Sequence, residues 1–150
     1  MKKIFSGLIS IVIFALTACS SDGAHEGQKL EKLPDLKHIC IKEVENPQLP
    51  AFAKYIGEYL MQWNISSEIV YSYTNRYPKH CHYVLAYSLR AENGVIAKGK
   101  IRLSEIIGDK RRGMGSVGYH LKGTDEKARV VATGLKGQVK SMMDELLKNN

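Results

Sequence analysis

From Leu36 onward the apolar positions of the chain change period several times, and each change predicts an element. Lys37 to Val44 carries Ile39 and Ile41 in an extended pattern and predicts a first strand. Asn46-Pro47-Gln48-Leu49-Pro50 ends it, and Pro50 suits a first helical turn, where its missing N–H costs nothing. Phe52, Ile56, Tyr59, Leu60 and Trp63 then recur at helical spacing, which predicts a helix over 50–64 with these side chains in the core. Glu68 to Tyr73 predicts a second strand. His80 to Arg90 predicts a third, because Tyr83, Leu85, Tyr87 and Leu89 alternate with smaller or polar residues. Glu92-Asn93-Gly94 is a tight hairpin signal.

Val95 to Ile106 returns with Ala97, Gly99, Ile101 and Leu103 on one face and Lys98, Lys100 and Arg102 on the other, as in a sheet with one wet side. Asp109-Lys110-Arg111-Arg112 reads as a charged turn, and Met114 to Leu121 resumes the alternation through Val117 and Tyr119. A last helix is expected over 125–148, capped by Thr124, with Asp125 and Glu126 at its positive end. Its apolar stripe is Ala128, Val131, Leu135, Val139, Met142 and Leu146. Gly134 and Gly137 weaken it by about 1 kcal/mol each and would let it approach the sheet closely. The expected fold is α+β with two layers: a mainly antiparallel sheet of four or five strands with two helices on one face, in the order β-α-β-β-β-β-α.

Residues 1–18 read differently. Lys2 and Lys3 precede an apolar run from Ile4 to Leu16, too short to span a bilayer but suited to a secretory signal. Leu16-Thr17-Ala18-Cys19 directly after it resembles the bacterial lipobox. That resemblance implies cleavage before Cys19 and lipid, palmitate included, on its thiol. Ser20 in place of Asp implies the outer membrane of a Gram-negative envelope, facing the periplasm. Residues 19–35 are then the lipidated cysteine and a polar, small-residue tether with a typical reach of about 20–25 Å, and 36–150 a single domain.

The formal charge of +7 includes the two lysines of the leader. The remaining excess allows contact with anionic lipid or glycan, while nucleic acid is excluded for an exported chain. With Cys19 lipidated, Cys40 and Cys81 remain, and a disulfide between them is the expectation in an oxidising compartment. The competing arrangement is a metal-binding or redox site that uses His38, Cys40, His80, Cys81 and His82. Against it, residues 80 and 82 would face away from 81 in a regular strand.

Gly113-Met114-Gly115-Ser116-Val117-Gly118 has the spacing of a dinucleotide fingerprint, but no helix start follows it, so a glycine-rich bulged strand is expected. No spacing of serines, histidines and carboxylates predicts a catalytic constellation, and no cofactor is expected. Ile41-Lys42-Glu43-Val44-Glu45-Asn46-Pro47, followed by a helix and a strand pair, resembles the Sbal-type family of small Gram-negative lipoproteins. The resemblance implies a compact α+β domain behind a lipobox and supplies no catalytic residues. The function expected is that of a non-enzymatic envelope lipoprotein, membrane-held, that binds or supports another envelope component.

Overall fold

In the computed structural model, which describes residues 24–25, 36–44, 48–71 and 76–148, the elements follow the changes of period. They are β1 (Ala24–His25), β2 (His38–Lys42), α1 (Phe52–Gln62), β3 (Ser66–Val70), β4 (Tyr83–Glu92), β5 (Val95–Ile107), β6 (Lys110–His120) and α2 (Thr124–Leu147). They form an α+β fold in which one sheet, ordered β1-β6-β5-β4-β2-β3, carries both helices on one face. The leader, Cys19 and most of the expected tether lie outside the described residues. Within that tether, Ala24 and His25 depart from the reading: they lie antiparallel along β6, opposite Tyr119 and Gly118.

The sheet is mixed rather than mainly antiparallel. β4, β5 and β6 form an antiparallel meander, whereas β2 pairs in parallel with both β3 and β4. The reason is the strand–helix–strand unit. A helix returns the chain to the end where it started, so β3 runs beside β2 in the same direction. The connection from Val70 to Tyr83 has to return along the sheet once more. Of its described residues, Tyr77 packs on Cys40, Val70, Cys81 and Val84, on the face away from α1.

Both helices cover the other face. Ile39, Ile41, Leu85, Ile101 and Leu103 are fully buried there beneath Phe52, Ile56 and Leu60 of α1 and Met142, Met143 and Leu146 of α2. Each such aliphatic side chain contributes roughly 1.5–3 kcal/mol by leaving water. Phe52 meets Tyr87 edge-on, centroids 4.7 Å apart. Trp63 departs from the predicted core: the helix ends before it, Asn64 turns the chain at φ +57°, and the indole is left 49% exposed.

The hairpins differ in legibility. Asn93 and Gly94 take φ of +52° and +76° and place Glu92 opposite Val95, as their sequence predicts. The second turn is Gly108-Asp109, with Gly108 at φ +59°. Lys110, Arg111 and Arg112 are therefore strand residues, paired with Ile107, Ile106 and Glu105, and not part of a charged turn. The glycine-rich segment is a strand with an irregular register, Leu103 pairing with Gly115 and Ser104 with Gly113.

α2 is two helical pieces joined at Gly134, which sits at φ +68°. The break shifts the phase of the helix, so Val130 is buried while Ala128 and Val131, expected in the stripe, face solvent. Thr124 makes no cap. Gly123 precedes the helix at φ +74°, and a Glu126 carboxylate oxygen accepts the Lys122 N–H at 2.6 Å. Neither helix glycine is pressed against the sheet: a Cβ on Gly134 would meet nothing within 4 Å, and the atoms nearest one on Gly137 belong to Thr133.

Gln138 fills a role that the periodicity hides. Its amide oxygen accepts the Ile96 N–H at 2.8 Å, and its amide nitrogen donates to the Ile96 carbonyl and the Tyr119 hydroxyl, each at 2.9 Å. β6 has already turned away at this level, so the side chain supplies the pairing that a strand neighbour would otherwise make. Between the helices, the Tyr59 hydroxyl donates to the Asp144 carboxylate, which also accepts Lys140 at 2.6 Å.

Gln138→Ala is expected to cost about 2–4 kcal/mol, because it leaves a buried N–H and a buried carbonyl unpaired; urea unfolding measures it. Burial, and next the hydrogen bond to Asp144, push the Tyr59 phenol well above its ordinary 10.0. The unfolded phenol ionises first, so this contribution is complete below about pH 10 and is lost as pH rises further. Tyr59→Phe should lower stability by about 1–2 kcal/mol at neutral pH and flatten the alkaline decline, as read from urea midpoints across that range.

Candidate functional site

The parallel register of β2 and β3 sets His38 opposite Ser66 and Cys40 opposite Glu68. Alternation along each strand turns all four side chains to the face away from the helices. On that face Cys40 is bonded to Cys81, with Cα atoms 5.6 Å apart. Cys81 sits just before β4, in a turn where its N–H bonds the Pro78 carbonyl at 2.9 Å. Because residues 80–82 precede the strand, strand alternation does not govern them, and His80 reaches Glu68.

Three polar side chains therefore gather above the disulfide. His80 Nε2 contacts Glu68 Oε1, and His38 Nε2 lies 3.6 Å from the same oxygen. Cys40 Sγ is 3.2 Å from that oxygen and Cys81 Sγ 3.7 Å. His38 Nδ1 is 2.7 Å from Ser66 Oγ, which donates its own proton to the Lys37 carbonyl at 3.0 Å. His80, first, and then His38 hold the Glu68 carboxyl below its ordinary range against a smaller opposing effect of burial.

Of the five residues weighed for a metal or redox site, His38, Cys40 and His80 thus meet. Both thiols are consumed by the disulfide, and His82 stands apart from the group of ligand atoms within 4.8 Å of one another. Glu68, its central member, was read only as the start of a strand. No spacing along the chain signals it, because its proximity comes from the parallel register and not from sequence separation.

A second region lies on the same face at the other end of the sheet. The register stacks Arg90, Lys98 and His120 in one cross-strand row, Ser88, Lys100 and Gly118 in the next, and Ala86, Arg102 and Ser116 beyond. A groove of about 490 Å³ runs here, lined by Arg90, Lys98, Lys100, His120 and Lys122 and by the small Ser88 and Gly118, with no carboxylate among the described residues of its walls. The run Lys110–Arg112, considered for anion contact, lies elsewhere, and Arg112 is held by Glu105 at 2.8 Å.

No family model and no curated protein matches the chain. Among solved structures it is similar to the PelC dodecamer from Paraburkholderia phytofirmans, at 13% identity and a TM-score of 0.44, over 79% of this chain and 97% of that one. A point variant of the same dodecamer aligns at 11% identity and a TM-score of 0.45, over 81% and 96%. At that distance neither bears on what this chain does. Among the described residues, no helix is long and apolar enough to cross a membrane.

The disulfide fastens the returning connection to the back of the sheet across a separation of 41 residues. Intact mass should rise by two daltons on reduction. Replacing both cysteines with serine should cost about 4 kcal/mol, the value expected from closing a loop of that length, as measured by chemical denaturation.

Proposed function

We propose that this chain is a lipid-anchored, non-enzymatic protein of the bacterial envelope that binds phosphate-bearing lipid headgroups on the cationic face of its sheet. The observation that carries the reading is the row of like charges. Arg90 stands directly opposite Lys98, with Lys100 and Arg102 following along the central strand. Like charges placed opposite one another weaken a sheet, and solubility alone is served as well by mixed signs. Arg90 has Glu92 within 3.6 Å, yet among the described residues no acidic side chain lines the groove itself.

The leader and the lipobox supply the rest of the reading. Lipid on Cys19, with Ser20 after it, assigns the protein to the periplasmic side of an outer membrane. Only four residues separate Cys19 from β1, so lipid on Cys19 would hold the domain close to that surface, which favours headgroups over more distant polymers. Each lysine close to an anionic surface contributes about 1 kcal/mol, screened within a Debye length.

Labelled palmitate should enter the protein and be absent from Cys19→Ala. Titration with a water-soluble short-chain phosphatidylglycerol should move the amide resonances of Ser88, Lys98, Lys100, Gly118 and His120. Lys98→Ala with Lys100→Ala should weaken that binding roughly tenfold or more. Equal response to phosphatidylcholine, or shifts confined to other surfaces, would discard the headgroup reading.

A further inference from the structure

We propose that His38, Glu68 and His80 form a site for a divalent transition-metal ion of the zinc type, built across β2 and β3 above the Cys40–Cys81 disulfide. It lies at the other end of the sheet from the cationic groove and is independent of the headgroup reading.

The donor set comes first. Two imidazole nitrogens and one carboxylate oxygen suit zinc, copper or nickel, while calcium and magnesium prefer oxygen alone. The facing atoms are close enough for one ion. Zinc holds nitrogen and oxygen at about 2.0–2.2 Å, so two ligands on it stand roughly 3.3–3.5 Å apart. His38 Nε2 and Glu68 Oε1 are 3.6 Å apart, and all the candidate ligand atoms lie within 4.8 Å of one another. His80 needs only to draw back slightly from the carboxylate. In both rings Nε2 is the atom that approaches Glu68 Oε1.

A second observation concerns the support of His38. Its Nδ1 is held 2.7 Å from Ser66 Oγ, while its Nε2 faces Glu68 Oε1. A hydrogen bond that fixes the far nitrogen of an imidazole is the usual outer support of a metal-bound histidine.

The sulfurs beneath do not ligate, because a disulfide offers no thiolate. They close the inner side of the site. His38 and Glu68 are 37% and 40% exposed and His80 is 62% exposed, so the remaining positions of the ion open to water. The site is thus of the three-ligand kind with an accessible coordination position.

The test is calorimetric titration of the untagged full chain with zinc sulfate, the disulfide verified by intact mass. One ion per chain is expected. Glu68→Gln and His80→Ala should each weaken uptake at least tenfold, and Ser66→Ala, through the orientation of His38, about tenfold. His82→Ala should leave it unchanged, and metal-free melting of every variant should match the parent. Zinc should move the imidazole resonances of His38 and His80 and spare those of His82 and His120. Absence of stoichiometric uptake would overturn the site. Uptake unaffected by His80→Ala, or appearing only after reduction, would overturn it as well, the latter by assigning the ion to the thiols.

Discussion

The fold depends on one strand being approached in parallel from both sides. β2 pairs with β3 and with β4 in the same direction, and parallel neighbours require the chain to return along the sheet between them. Two returns are therefore needed around β2. The first is α1, which buries its apolar stripe on Ile39 and Ile41. Of the second, the described residues 76–82 include Tyr77, which packs on the opposite face. The Cys40–Cys81 bond, set among Val70, Val84 and Tyr77, fastens it at its far end.

That arrangement divides one face of the sheet in two. Near β2 and β3 it is covered, and the polar groups carried there are brought together at the margin of the covering segment. Over β4, β5 and β6 the described residues leave a groove, and the outward side chains along β5 include Lys98, Lys100 and Arg102. The two candidate regions are therefore consequences of topology. The first exists because parallel register aligns His38 with Ser66 and Cys40 with Glu68. The second exists because an antiparallel meander repeats one outward phase across three strands, which places Arg90, Lys98 and His120 side by side.

Much of this was legible in the sequence, and what was not shares a cause. Local signals held: the Asn93-Gly94 turn, the alternation of Tyr83 to Leu89, the helical recurrence of Phe52, Ile56 and Leu60, and the cationic phase of Lys98, Lys100 and Arg102. Each depends on residues a few positions apart. Glu68 as a partner of two histidines depends on strand order, which periodicity does not contain. The mixed sheet was missed for the same reason, since the pattern of β3 is the same whether it runs with β2 or against it. The extension of β6 back to Lys110 depended on Gly108 adopting a positive φ, so charge marked a turn where glycine had already made it.

Gln138 shows how a helix can be read correctly and still be misplaced. By composition α2 is amphipathic, and following its apolar residues alone puts Val131 inside and passes over Gln138, seven residues on. The break at Gly134 changes the phase, and the residue that then faces the sheet is an amide. The sheet accepts it because the β5–β6 pairing ends at Lys98 and His120, which leaves Ile96 a donor and an acceptor to satisfy. Leucine would fill the volume and leave those two groups unpaired, at a cost above what its own burial returns. A polar side chain in the core is in this case the answer to a backbone irregularity, and the glycine that breaks the helix is what allows it to arrive.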